Sequence, residues 1–84
     1  MRQNNTRQAV ILAGGKGTRL HSRLNGLPKP MAPILGKPLL QHLIEQCATN
    51  GITDIRLLIA YRGEVIKDHF GDGNQIGVTI QYYM

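Results

Sequence analysis

Arg7-Gln8-Ala9-Val10-Ile11-Leu12-Ala13-Gly14-Gly15 decides the fold: a continuous apolar run stopped by paired glycines. Such a run reads as a strand buried on both faces, the pattern of parallel sheets, and the glycines break it into a loop. Downstream, Leu39, Leu40, Leu43, Ile44 and Cys47 recur at helical spacing behind Gly36-Lys37-Pro38, with Pro38 at the first helical position and Asn50-Gly51 closing the helix. Residues 54–60 read as a second strand. Gly63 to Phe70 form a short helix with Val65, Ile66 and Phe70 inward, Gly71-Asp72-Gly73-Asn74 a turn, and Val78 to Tyr82 a third strand. The order β-α-β-α-β implies an α/β fold, a parallel sheet with right-handed crossovers that forms the N-terminal half of a doubly wound domain. The expectation is one partial nucleotide-binding domain over residues 1–84, truncated at its C-terminus.

Composition narrows the function classes. With 84 residues, 42% hydrophobic and 18% charged, the chain is globular in character, without low-complexity tracts or repeats. No apolar run is long enough to span a bilayer, and the polar start Met1-Arg2-Gln3-Asn4-Asn5-Thr6 lacks the apolar stretch of a secretory signal; the expected location is cytoplasmic. Cys47, the single cysteine, sits among Leu43, Ile44 and Ala48 and reads as core. The net charge of +5 is scattered, without basic runs or aromatic interleaving, which argues against a nucleic-acid partner. Part of it is local: Lys16, Arg19, Arg23 and Lys29 cluster in a Gly- and Pro-rich window that suits a polyphosphate.

The chemistry sits in Leu12-Ala13-Gly14-Gly15-Lys16-Gly17-Thr18-Arg19-Leu20. Glycines at the carboxyl end of a strand let the backbone turn sharply and approach a ligand, at the edge where open α/β sheets bind. Two familiar glycine signatures fail on residue identity. A dinucleotide fingerprint needs Gly or Ala where Leu20 stands, and a P-loop needs Gly where Val10 stands and Ser or Thr where Gly17 stands. What remains is GGxGTRL followed by Pro28-Lys29-Pro30-Met31 and Pro33.

These two spaced motifs resemble the N-terminal signature of the sugar-1-phosphate nucleotidylyltransferases, and the similarity covers essentially the whole chain. Leu27 to Pro33 and Val65 to Gly71 are most similar to guanylyltransferases acting on mannose or heptose 1-phosphates, whereas the Pro and Thr that commonly follow the Arg-Leu pair in thymidylyl and uridylyl members are replaced from His21 onward. The resemblance implies a transferase of nucleotide-sugar and polysaccharide biosynthesis, coupling a nucleoside triphosphate, GTP, to a sugar 1-phosphate with release of pyrophosphate. By the same resemblance, the amides of Gly14, Gly15, Gly17 and Thr18 line the triphosphate, and Leu12 and Ala13 pack near the base. Arg19 offsets charge on departing pyrophosphate, and Lys29 serves the α-phosphate and the incoming sugar phosphate. Lys16, His21, Arg23, His42 and His69 read as surface residues. The resemblance also implies magnesium, with ligands beyond the end of this chain, since Glu45, Asp54, Glu64, Asp68 and Asp72 all lie outside the loop. On that basis the 84 residues alone are expected to be inactive and to self-associate through an exposed sheet edge. A non-catalytic nucleotide-binding or regulatory module of the same fold would carry the same loop.

Overall fold

The computed structural model describes residues 7–14 and 26–84. Strand β1 (Gln8–Leu12) is followed, after residues 15–25, by a 3₁₀ turn (Lys29–Met31) and the short strands β2 (Pro33–Ile34) and β3 (Lys37–Pro38). Helix α1 (Leu39–Thr49), strand β4 (Asp54–Leu58), helix α2 (Gly63–Phe70), a second 3₁₀ turn (Asn74–Ile76) and strand β5 (Thr79–Tyr83) complete the order. The main sheet is parallel, in the order β1-β4-β5, with Ala9 opposite Ile55 and Ile55 opposite Ile80. The expected α/β arrangement is present, with element ends within a residue or two of their expected positions.

Alternation along the strands divides the sheet into two unlike faces. Ile55, Leu57, Ile59 and Ile80 are buried beside Ala13, with Ala9, Ile11 and Tyr82 packed against them. Leu40 and Ile44 of α1 and Ile66 and Phe70 of α2 close the core over that face. The opposite face is open among the described residues: Val10 is 61% and Leu12 79% exposed. Among the described residues β1 is covered on one face, and its other, apolar face is left open. The cause is topological, because two successive right-handed crossovers advancing in the same direction across β1-β4-β5 put both helices on the same side.

Local signals account for the helix ends. Pro38 stands at the N-cap of α1 rather than at its first helical position, with ψ 144°, because it pairs with Pro33 in the β2–β3 hairpin. The far end closes as a Schellman motif: Gly51, at φ +81°, donates its amide to Ala48 and Ile52 donates to Cys47. Leu43 is exposed at the rim, so the apolar face of α1 is narrower than its sequence spacing implies. Cys47 is free and half-buried against the core. Tyr82 packs with its ring beside the core and donates its hydroxyl to the Gly71 carbonyl at 2.6 Å; burial raises its phenol above the usual range.

Candidate active site

The carboxyl ends of the strands form the functional edge. The ladder between β1 and β4 runs one residue past β1, where the Ala13 amide donates to the Leu58 carbonyl at 2.8 Å, and the chain then leaves the sheet at Gly14. Gly14 rests against the β4–α2 connection, where a β-carbon would stand 3.1 Å from the Ala60 methyl. A β-carbon at Gly14 would be tighter than ordinary contact and would force the Ala60 segment to give by a few tenths of an ångström.

Lys29 reaches the same edge by a different route. Pro28 is fully buried and extended, and the next three residues wind into the 3₁₀ turn, with the Met31 amide donating to Pro28 at 2.8 Å and the Ala32 amide to Lys29 at 3.0 Å. Met31 plugs into the core, and the Leu39 amide ties the turn to the start of α1 through the Ala32 carbonyl. Buried residues on both sides thus hold an exposed lysine, with Pro30 at a helical position whose amide would have had no partner. Leu12, Ala13 and Lys29 line one cavity of about 260 Å³, together with Ile11, Pro30, Leu39, Leu40 and Leu43.

Four of the expected site residues, Leu12, Ala13, Gly14 and Lys29, are thus brought to one edge of the sheet. The others, Gly15, Gly17, Thr18 and Arg19, lie outside the described residues, as do Lys16, His21 and Arg23. His42 and His69 are structural: His42 Nε2 pairs with the Ile34 carbonyl at 2.6 Å, and His69 Nε2 pairs with the Gln41 side chain at 3.0 Å while its ring meets Phe70 edge-on.

Sequence reading missed a second contact to the loop. The Gly26 carbonyl accepts hydrogen bonds from Tyr61 Oη and Arg62 Nη1, each at 3.2 Å, so the β4–α2 connection touches the chain on both sides of residues 15–25. No local pattern announces these contacts, which join residues more than thirty positions apart.

The carboxylates do not gather at this edge. Glu45 pairs with Lys37 at 2.8 Å, Asp54 with Arg56 at 3.4 Å and Glu64 with Arg62 at 3.2 Å, while Asp72 accepts the Asn74 amide at 2.9 Å. The hydrogen bond from Lys37, then that from Gln41, holds Glu45 below the usual carboxylate range; Glu64 is lowered first by its own backbone amide and then by Arg62. Among the described residues no three His, Cys, Asp or Glu side chains converge on a point where a metal could bind. No helix among them is long and apolar enough to cross a membrane.

Comparison with known proteins agrees with this geometry. A family model described as Nucleotidyl transferase matches residues 8–84. The chain is 47% identical over 75 residues to the D-glycero-alpha-D-manno-heptose 1-phosphate guanylyltransferase of Campylobacter jejuni, covering 89% of this chain and 34% of that protein. It is 45% identical over 74 residues to the mannose-1-phosphate guanylyltransferase of Mycobacterium tuberculosis, covering 88% of this chain and 21% of that one. Relatives of comparable identity are named as cytidylyl- and uridylyltransferases of glucose 1-phosphate. Among solved structures, HddC from Yersinia pseudotuberculosis complexed with GMP-PN superposes with a TM-score of 0.77 at 38% identity, over 92% of this chain and 34% of that one. The chain thus spans about a third or less of these relatives. With Gly14 at the carboxyl edge of a parallel sheet and Lys29 at the same edge, the chain belongs to the nucleotidyl transferase family, among the sugar-1-phosphate nucleotidyltransferases.

Proposed function

We propose that the protein carrying this chain transfers the nucleotidyl group of GTP to a heptose- or mannose-type sugar 1-phosphate, releasing pyrophosphate and forming a nucleotide sugar. The observation that carries this reading is the convergence of the β1 loop start and Lys29 on one cavity at the carboxyl edge of the sheet. In the reaction, a sugar-phosphate oxygen attacks the α-phosphorus, a new P–O bond forms, and the bond to the β-phosphate oxygen breaks, leaving its electron pair on pyrophosphate. The attacking oxygen is already ionised at neutral pH, so the site needs positioning and positive charge rather than a general base.

In this reading the amides of Gly14, Gly15, Gly17 and Thr18 cradle the triphosphate, and Leu12 and Ala13 pack near the base. Arg19 meets the charge growing on pyrophosphate with a planar fork, and Lys29 holds the α-phosphate as nucleophile and leaving group exchange. The carboxylates of this chain do not fit a magnesium site, so no step is assigned to the metal that the family implies. The second reading is a nucleotide-binding module without turnover, built on the same β1 end and Lys29. Guanosine chemistry is supported by the guanylyltransferase relatives, and heptose or mannose by the sugars in their names. The test is a pyrophosphate-release assay on the intact protein against GTP, CTP, UTP and dTTP, each with heptose, mannose and glucose 1-phosphates. GTP with heptose or mannose 1-phosphate is expected to lead. Preference for another base moves the protein to a different branch, and GTP binding without turnover selects the second reading.

A further inference from the structure

We propose that His42 is a positioning residue for Lys29, acting through the β2–β3 hairpin; this rests on the reading of Lys29 as a phosphate-handling residue. Between the buried Met31 and Leu40 the chain makes an excursion whose tip, residues 33–36, is exposed throughout. No buried side chain holds that tip down. Pro33 and Pro38 face each other across the hairpin, and neither has an amide to give to the ladder. Two side chains of α1 supply the ties instead. His42 Nε2 meets the Ile34 carbonyl at 2.6 Å, and because a carbonyl can only accept, Nε2 carries the proton. Glu45, three residues further along α1, accepts Lys37 Nζ on one oxygen at 2.8 Å and Gln41 Nε2 on the other at 3.0 Å.

The backbone of Ala32 joins this hairpin to Lys29. Its amide donates to the Lys29 carbonyl at 3.0 Å, while its carbonyl accepts the Leu39 amide at 2.8 Å. Pro33 follows directly and brings no amide, so the bond to Leu39 ties the Ala32–Pro33 peptide to the start of α1. A hairpin that lifts from α1 turns this peptide, and the Ala32 bond to Lys29 turns with it. Met31, plugged into the core, fixes where the 3₁₀ turn sits; the hairpin fixes how it is rotated. Lys29 is exposed, and its reach into the cavity that it lines with Leu12 and Ala13 follows the direction its backbone sets. The His42 contact is exposed and adds little to folding; its effect falls on the aim of the lysine.

A double-mutant cycle separates positioning from a merely structural role. It uses the intact protein with magnesium, heptose or mannose 1-phosphate, and whichever of GTP, CTP, UTP and dTTP turns over fastest. His42→Ala is expected to lower kcat about ten-fold at a nearly unchanged Tm. His42→Gln, whose side-chain amide still donates to Ile34, should recover most of that loss. In a Lys29→Ala background His42→Ala should cost nothing further, because the group it positions is gone. If His42→Ala does not fold, Lys37→Met cuts the other tie and carries the same cycle. Parental kcat in His42→Ala, or the same ten-fold loss with Lys29 already removed, would overturn the inference while leaving the phosphate-handling reading standing. Parental kcat in Lys29→Ala, or no turnover by the unmodified protein, would overturn that reading and this inference with it.

Discussion

Gly14 and Ala60 meet where the first strand gives way to the loop: a β-carbon on Gly14 would lie 3.1 Å from the Ala60 methyl and 3.3 Å from its amide nitrogen. The amide belongs to backbone and cannot rotate aside. Gly14→Ala is therefore expected to destabilise the fold by about 1–3 kcal/mol, the usual range for overpacking, and to weaken nucleotide binding as the loop shifts. Ala60→Gly in the same background should recover only part of the loss, since the methyl leaves and the amide remains. Urea denaturation of the single and double variants measures both effects, and equal midpoints for Gly14→Ala and the parent would show that the approach is not tight.

The β2–β3 hairpin turns on Leu35 and Gly36, both at positive φ, +53° and +83°. Two central residues in that region suit Asn-Gly, yet Leu35 occupies the first place with its side chain 91% exposed. Leu35→Asn is expected to stabilise the protein by about 0.5–1 kcal/mol, because asparagine enters the left-handed region at lower cost and no packing is lost. A rise in Tm is the expected result, and a fall would mean that the exposed leucine makes a contact in solution.

Acid sensitivity follows from Glu45 and Glu64. Both carboxyls are held below their ordinary value of 4.5, Glu45 chiefly by Lys37 and Glu64 chiefly by its own backbone amide. The unfolded chain then takes up protons first as pH drops, so the stability these groups contribute is present above about pH 4.5 and is lost as pH falls through their lowered folded values. Glu45→Gln and Glu64→Gln should flatten the decline of stability with falling pH below 4.5. The effect should be small and reduced by salt, since Glu64 is exposed and Glu45 only half-buried. Unfolding curves collected from pH 6 down to about 3 test the sign; a steeper decline in the variants contradicts it.

Much of the fold was legible because its segments announce themselves locally. The apolar run of β1 is bounded by its paired glycines, while Leu40 and Ile44, and Val65, Ile66 and Phe70, recur at helical spacing. The β2–β3 hairpin was not legible, because strands of two residues are too short to show alternation. The open face at Val10 and Leu12 goes with the apolar run of β1, because both crossovers among the described residues cover the other side of the sheet. Gly14 and Lys29 were singled out by the resemblance of their motifs, and the fold brings both to the carboxyl edge of the sheet. Tyr61 and Arg62 were not, since their contacts to Gly26 exist only once β4 lies beside β1.

The open sheet face has its own consequence. Val10, Leu12, Leu58 and Tyr83 are exposed on the side away from the helices, and β1 has no partner on its outer edge among the described residues. A preparation of the 84 residues alone is expected to self-associate through this surface and to release no pyrophosphate above background. Val10→Lys with Leu12→Lys should shift gel filtration toward the monomer. A monodisperse monomer of the unsubstituted chain that turns over with magnesium would contradict both expectations.

The central claim is that the β1 loop and the Pro28-Lys29-Pro30 turn together form the phosphate-handling site of a sugar-1-phosphate nucleotidyltransferase. Its most direct test is the turnover of Lys29→Ala and Arg19→Ala in the intact protein with GTP, magnesium and heptose or mannose 1-phosphate, with circular dichroism confirming the fold. Loss of a charge partner used in the transition state predicts a fall in kcat of about 10²-fold or more for each variant. Lys16→Ala should be far milder. Near-parental kcat in both Lys29→Ala and Arg19→Ala, with the fold intact, would contradict the account.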